Sequence, residues 1–170
     1  LGNWEFAGAY VAARGVPVDA VARGAANKLF EAYLTRTRQE IGMEVIHDKD
    51  AVRKAPRALR ENHLVALVAD HDALGLASTF VRGPAVFALR FGAPVLLMIC
   101  VRQPSGKYAF FVEPVEVEST GDREADVDAI VLRYTNMLEQ KVREYPDQYF
   151  WQHRRWRRQP PDTPPHLREP

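Results

Sequence analysis

Apolar positions recur along the chain at two periods. Between 27 and 41, Leu29, Phe30, Tyr33, Leu34, Thr37 and Ile41 follow helical spacing, and Gly42 supplies a stop. A second helix is expected over 50–61 in spite of Pro56, and 6–14 is a helix-like run behind the turn residues Gly2, Asn3 and Trp4. Gly83-Pro84 opens another helix through Arg90, since proline suits a first turn. The clearest helix covers 124–145, where Val127, Ile130, Val131, Tyr134, Met137, Leu138, Lys141, Val142 and Tyr145 form one stripe with charges opposite. The aliphatic run 63–69 reads as a buried strand ending in Asp70-His71-Asp72, and 93–102 and 107–118 read as strands flanking a Pro-Ser-Gly turn, either a hairpin or adjacent edge strands.

Strands alternating with helices predict an α/β domain with a mainly parallel sheet flanked by helices. Sites in such sheets gather at the C-terminal ends of the strands, which draws attention to Asp70-His71-Asp72. A length of 170 residues suits one compact domain, expected over 1–158. The tail 159–170 holds five prolines in twelve residues and is expected to be extended or disordered. A net charge of +1 gives no ground for a nucleic-acid partner. The single Cys100 excludes an internal disulfide framework and a cysteine-rich zinc site. The longest apolar run, 93–101, is about half of what a membrane-spanning helix needs. The chain opens on Leu1 with no methionine and is read as N-terminally trimmed.

Four groups could carry chemistry. If Asn3 caps the first helix, Glu5 lies in its first turn, where the helix dipole favours a carboxylate; a helix-start acid with no further role is the plain alternative. Strand alternation puts Asp70 and Asp72 on one face and His71 on the other, which favours two carboxylates acting together over a metal cluster. A turn of solvated acids explains them equally well. A metal hydrolase would need further ligands, and His47, His63, His153 and His166 show no ligand-like spacing, so no metal is expected. The stretch DQYFWQHRRWRR, 147–158, packs four arginines and two tryptophans without an acid after Asp147. It suits phosphate or carboxylate groups and a membrane interface, or else is an amphipathic end whose arginines are merely solvated. Arg36 and Arg38 stand late in a helix, where complementing its negative end accounts for either one.

Together these pieces resemble a known family. LGNWE, 1–5, is similar to the end of the His-x4-Asp/Glu motif of the lysophospholipid/glycerophosphate acyltransferase superfamily, and more narrowly to the His-Leu-Gly-Asn-Trp-Glu of the lauroyl/myristoyl acyltransferases of lipid A biosynthesis. RTRQEIG (36–42), HDKDAVRKAPRALRENH (47–63), VALVADHDA (65–73), RGPAVFALRFGAPVLLM (82–98) and YPDQYFWQHRRW (145–156) resemble later family motifs in the same order, the last being the most specific. The segment between the Asp-x-Asp and the Gly-Pro helix is usually longer in relatives than 73–81 is here, as expected of a shortened substrate loop or of omitted residues.

The resemblance implies a glycerol-phosphate-acyltransferase-like fold and transfer of a fatty acyl chain from acyl carrier protein or acyl-CoA to a hydroxyl of a lipid A precursor or related glycolipid. The catalytic histidine would immediately precede Leu1, with Glu5 holding its tautomer and Arg36 or Arg38 stabilising an oxyanion or binding a phosphate. Asn3, Asp70, Asp72, Arg154 and Arg155 would meet substrate, the aspartates positioning acceptor hydroxyls or bracing an arginine and the arginines meeting the membrane or the acidic carrier. It implies no metal or redox cofactor, no nucleic acid, and a place on the cytoplasmic face of the bacterial inner membrane. Acylation of a mannosylated phosphoinositide or an aminolipid, and a non-catalytic lipid- or carrier-binding domain, are the alternatives.

Overall fold

The computed structural model describes residues 1–68 and 82–152. Asp70, His71, Asp72, the connection 73–81, Arg154, Arg155 and the tail 159–170 therefore lie outside the described residues. The elements run α1 (Trp4–Ala13), β1 (Val18–Ala22), α2 (Lys28–Glu40), β2 (Met43–His47), α3 (Ala51–Arg60), β3 (Leu64–Leu67), α4 (Gly83–Phe91), β4 (Val95–Arg102), β5 (Tyr108–Val115) and α5 (Arg123–Glu144). Single 3-10 turns at Asp48–Asp50 and Pro146–Gln148 precede α3 and follow α5.

The α/β class stands, with two kinds of strand pairing. β1 is central in a parallel three-stranded sheet of order β2-β1-β3, and β4 and β5 form a separate antiparallel pair, Val95 opposite Val115 and Arg102 opposite Tyr108. The two alternatives for 93–118 thus resolve as a hairpin. β1 and β2 have no counterpart in the pattern read above. Each is only five residues long, and Asp19, Glu44 and His47 break up their aliphatic runs.

The helices start where side-chain acceptors can serve their free N–H groups. Asn27 accepts from Leu29 and Phe30, and Asp122 from Glu124 and Ala125. Pro56 sits within α3 with its side chain buried, and Val52, whose carbonyl its missing N–H would have served, is exposed. On α5, Val127, Ile130, Tyr134 and Leu138 are buried, as the stripe requires. Val127, Ile130 and Tyr134 pack with Ala85 of α4 and Val115 of β5 into the main apolar cluster. α2 departs from its pattern: Leu29, Phe30 and Tyr33 are exposed, and the face turned inward carries Glu31, Leu34, Thr35 and Arg38.

Asp126, in the first turn of α5, is only 4% exposed. Its carboxylate accepts from the Thr120 hydroxyl at 2.7 Å, from the Thr120 N–H at 3.0 Å and from the Ser119 hydroxyl at 3.3 Å. The Thr120 hydroxyl first, then the Thr120 N–H, hold its pKa below the ordinary value. A carboxyl lowered on folding adds stability above its unfolded pKa of about 3.9 and loses it as pH falls through the lower folded value. Asp126→Asn should therefore lower Tm at pH 7 and flatten the fall of stability below about pH 4, as read by thermal melts across pH. An unchanged acid limb would show that this carboxylate contributes nothing.

Candidate active site

Main-chain contacts set the start of α1. The Asn3 side chain accepts from the Phe6 N–H at 3.0 Å, so Asn3 caps α1 and Glu5 lies in its first turn. Just before the cap, the chain docks in parallel register on β4 through a bridge between Gly2 and Cys100, with the Asn3 N–H donating to the Cys100 carbonyl at 2.7 Å. Gly2 has φ +68°, and a Cβ there would stand 2.1 Å from the Cys100 carbonyl oxygen. Only glycine satisfies both conditions.

The Gly2 N–H donates to the Gln148 carbonyl at 2.9 Å. The Gln148 side chain pairs with the backbone of Arg102 as a strand would. It accepts from the Arg102 N–H at 2.7 Å and donates to the Arg102 carbonyl at 2.8 Å. The end of β4, the 3-10 turn after α5 and the chain entering α1 are thus tied at one place. Gln148 belongs to the PDQY stretch, where the sequence pointed to arginine and tryptophan and gave no sign of a backbone clamp.

Glu5 meets Arg38 across the two helices. Arg38 Nε lies 3.1 Å from Oε1 and 3.2 Å from Oε2, and Nη2 lies 2.5 Å from Oε1. The Arg38 side chain is 7% exposed and that of Glu5 34%. The guanidinium also lies 5.3 Å from the centre of the Trp4 ring. Arg36 is not part of this arrangement. It is exposed and pairs with Glu40 at 2.7 Å, which raises its pKa. Two residues of helix turn a side chain by about 200°, so Arg36 and Arg38 face opposite ways. Arg38 uses Nε and Nη2 on Glu5, which gives it the geometry of a carboxylate holder.

Further along the inner face of α2, Thr35 and Glu31 continue this polar column. Glu31 accepts from the Ala25 N–H at 2.6 Å and lies 3.9 Å from His47 Nδ1. Here a cleft of about 420 Å³ opens between the loops that follow β1 and β2, lined by Arg23, Gly24, Ala25, His47, Asp48 and Lys49. Arg23 Nε is 3.6 Å from Asp48. The cleft occupies the C-terminal edge of the parallel sheet, where sites of such folds lie. Arg23, Gly24 and Ala25 escape the sequence reading because β1, which they follow, has no signal there, while His47, Asp48 and Lys49 enter it only within the 47–63 motif. His63 meets a carboxylate too, with Nδ1 2.6 Å from Asp19 Oδ2, but this pair joins the opposite, N-terminal ends of β1 and β3. No cluster of three or more metal-ligating side chains occurs among the described residues.

Fold and site define an α/β domain that presents a helix-start carboxylate clasped by a buried arginine from the last turn of α2, with a charged cleft beside the first turn of that helix at the edge of a parallel sheet. The sequence model of the bacterial lipid A biosynthesis acyltransferase family matches residues 1–158, and the chain belongs to that family of acyltransferases. Among curated proteins, none matches it significantly.

The Gly2–Gln148–Arg102 junction gives a direct test. Gln148→Ala should cost about 1–2 kcal/mol in urea melts, since it removes two hydrogen bonds of roughly 1 kcal/mol each. Gly2→Ala should cost more, because the left-handed backbone alone is worth about 1–2 kcal/mol before the clash with Cys100 is counted. Parent-like stability in both variants would show that the docked turn is not a constraint.

Proposed function

We infer that the protein moves a fatty acyl chain from a thioester donor, acyl carrier protein or acyl-CoA, to a hydroxyl of a lipid A precursor or related glycolipid. The observation that carries this reading is the side-on grip of Arg38 on Glu5 at a Gly-Asn turn, in a chain of an acyltransferase family. An alcohol is far too weak an acid to attack a thioester unaided at neutral pH, so a base must take its proton as the C–O bond forms. The reading assigns that base to a histidine immediately before Leu1, with Glu5 accepting from its far ring nitrogen to fix the tautomer.

The hydroxyl oxygen adds to the thioester carbonyl while the imidazole takes its proton. The tetrahedral oxyanion then collapses, the C–S bond breaks, and the imidazolium returns the proton to the departing thiolate. Arg38 acts through Glu5, holding both carboxylate oxygens so that one of them stays aimed at the imidazole. The cations Arg23 and Lys49 at the cleft suit an anionic group on either substrate. Asp70, Asp72, Arg154 and Arg155 enter the proposal only as substrate contacts, the aspartates on acceptor hydroxyls and the arginines on the carrier or lipid headgroups. The same reading takes the domain as glycerol-phosphate-acyltransferase-like in fold and places it on the cytoplasmic face of the inner membrane. No helix among the described residues is long and apolar enough to cross a membrane.

The test incubates the full-length enzyme with labelled acyl carrier protein and extracted lipids and identifies the acylated product by mass. Glu5→Gln should lower kcat by about 100- to 10,000-fold, the usual worth of an oriented general base. Arg38→Lys keeps the charge, loses the fork and should lower kcat by about 10- to 100-fold with KM little changed. Undiminished turnover in Glu5→Gln, with its fold verified by melting, would end this reading.

A further inference from the structure

Two consecutive residues of α1 hold Arg38 from two directions. Glu5 takes the Nε–Nη2 edge of its guanidinium, and the ring of Trp4 lies across the same group, with Arg38 Cζ 5.3 Å from the ring centre. Neighbouring helical residues point about 100° apart, so a single first turn, fixed by the Asn3 cap, reaches Arg38 both in its plane and over its face. A guanidinium donates hydrogen bonds only from its edges. Bonds along one edge hold the group in its plane but leave it free to tilt about that edge. A ring over the face removes the tilt.

Burial gives this contact more weight than others of its kind in the domain. Arg14 lies over Tyr10 and Arg90 over Phe91, but both arginines are exposed. The Arg38 side chain is only 7% exposed. A cation over an aromatic ring gains most where water is excluded, and indole offers the strongest of the aromatic faces. Trp4 itself is 43% exposed and stands outside the buried apolar core, so replacing it opens no cavity there.

We propose that Trp4 is a positioning residue for the acyl transfer: its ring keeps the Arg38 guanidinium flat against Glu5 and, through Arg38, keeps the carboxylate aimed at the catalytic base. The role in turnover rests on the function proposed above, in which Glu5 orients a histidine; the clamp on Arg38 stands on the geometry alone. Without the ring, water reaches the open face of the guanidinium, and its edge no longer stays in register with the two carboxylate oxygens. Glu5 then spends time in orientations that miss the imidazole, and the loss falls on kcat. A tryptophan that instead gripped substrate would show its loss in KM.

The experiment measures kcat and KM of the full-length enzyme with the thioester of acyl carrier protein and detergent-dispersed lipid acceptor, each variant being checked for folding by its melting curve. Trp4→Leu keeps apolar bulk without an aromatic face and should lower kcat about 5- to 30-fold, with KM within about twofold of the parent. Trp4→Phe keeps a face and should hold kcat within about threefold of the parent. In an Arg38→Lys background no planar group remains to be held, so Trp4→Leu should cost no more than about twofold further.

An unchanged kcat in Trp4→Leu, a loss confined to KM, a Trp4→Phe variant as slow as Trp4→Leu, or an equally large effect of Trp4→Leu in the Arg38→Lys background would overturn the proposal. Glu5→Gln, assayed alongside, separates the two failures. If it retains full turnover, the proposed chemistry is wrong; if it is slow while Trp4→Leu is not, only the clamp is.

Discussion

A guanidinium that is nearly out of reach of water must find an anion, and in this fold Arg38 finds Glu5. That requirement couples two helices through residues 33 positions apart in the chain. It needs α1 to begin where its first-turn acid can reach α2, and α2 to turn Arg38 rather than Arg36 inward. Once Arg38 is inside, helical spacing brings Thr35 and Glu31 to the same face, and these polar groups lead towards the cleft at the ends of β1 and β2. The apolar residues in the first turns of α2 are left to the outside. One buried arginine with its half-buried carboxylate thus orders both the polar column within and the apolar patch without.

The acid end of this pair owes its position to backbone geometry. Gly2 and Asn3 lie against β4 because no side chain intervenes at Gly2, and the Cys100 carbonyl and the Gln148 carbonyl take the two N–H groups. Gln148 in turn is fixed by its two bonds to Arg102. The stretches 1–5 and 145–152, far apart in sequence, therefore meet at the end of β4. A change in the PDQY stretch would reach Glu5 through main-chain contacts alone, with no side chain of that stretch touching the carboxylate.

Much of the helical framework was legible because the signals were local. Asn3 caps α1, Gly42 follows the end of α2, Gly83-Pro84 opens α4, and the stripe on α5 is long enough to define its buried face. β1 and β2 were not legible, since short strands carrying Asp19, Glu44 and His47 look like neither an alternating nor a continuous apolar run. With them went the cleft. Of the candidate site, Glu5 was readable from the turn before it and from the resemblance. The choice between Arg36 and Arg38 was not, because both are arginines near the end of one helix and only the direction of α2 separates them. The contribution of Gln148 uses groups that any glutamine carries, so composition and spacing gave no sign of it.

The two halves of the domain divide the physical work. The apolar cluster formed by Ala85, Val115, Val127, Ile130 and Tyr134 lies among α4, β5 and α5, away from the Glu5–Arg38 pair. The half containing α1, α2 and the parallel sheet has Ala7, Val18, Met43, Ile46, Ala55 and Ala58 as its buried apolar residues, half of them alanine. Small residues let the helices approach the sheet closely but bury little area each, so this half gains less from apolar burial and has room for a charged pair and a polar column. β4 connects the halves, pairing with β5 on one side and receiving Gly2 and Asn3 on the other. The better-packed half can thus hold the start of α1 in place through β4, which keeps the Glu5 end of the charge pair fixed in the half that gains less from apolar burial.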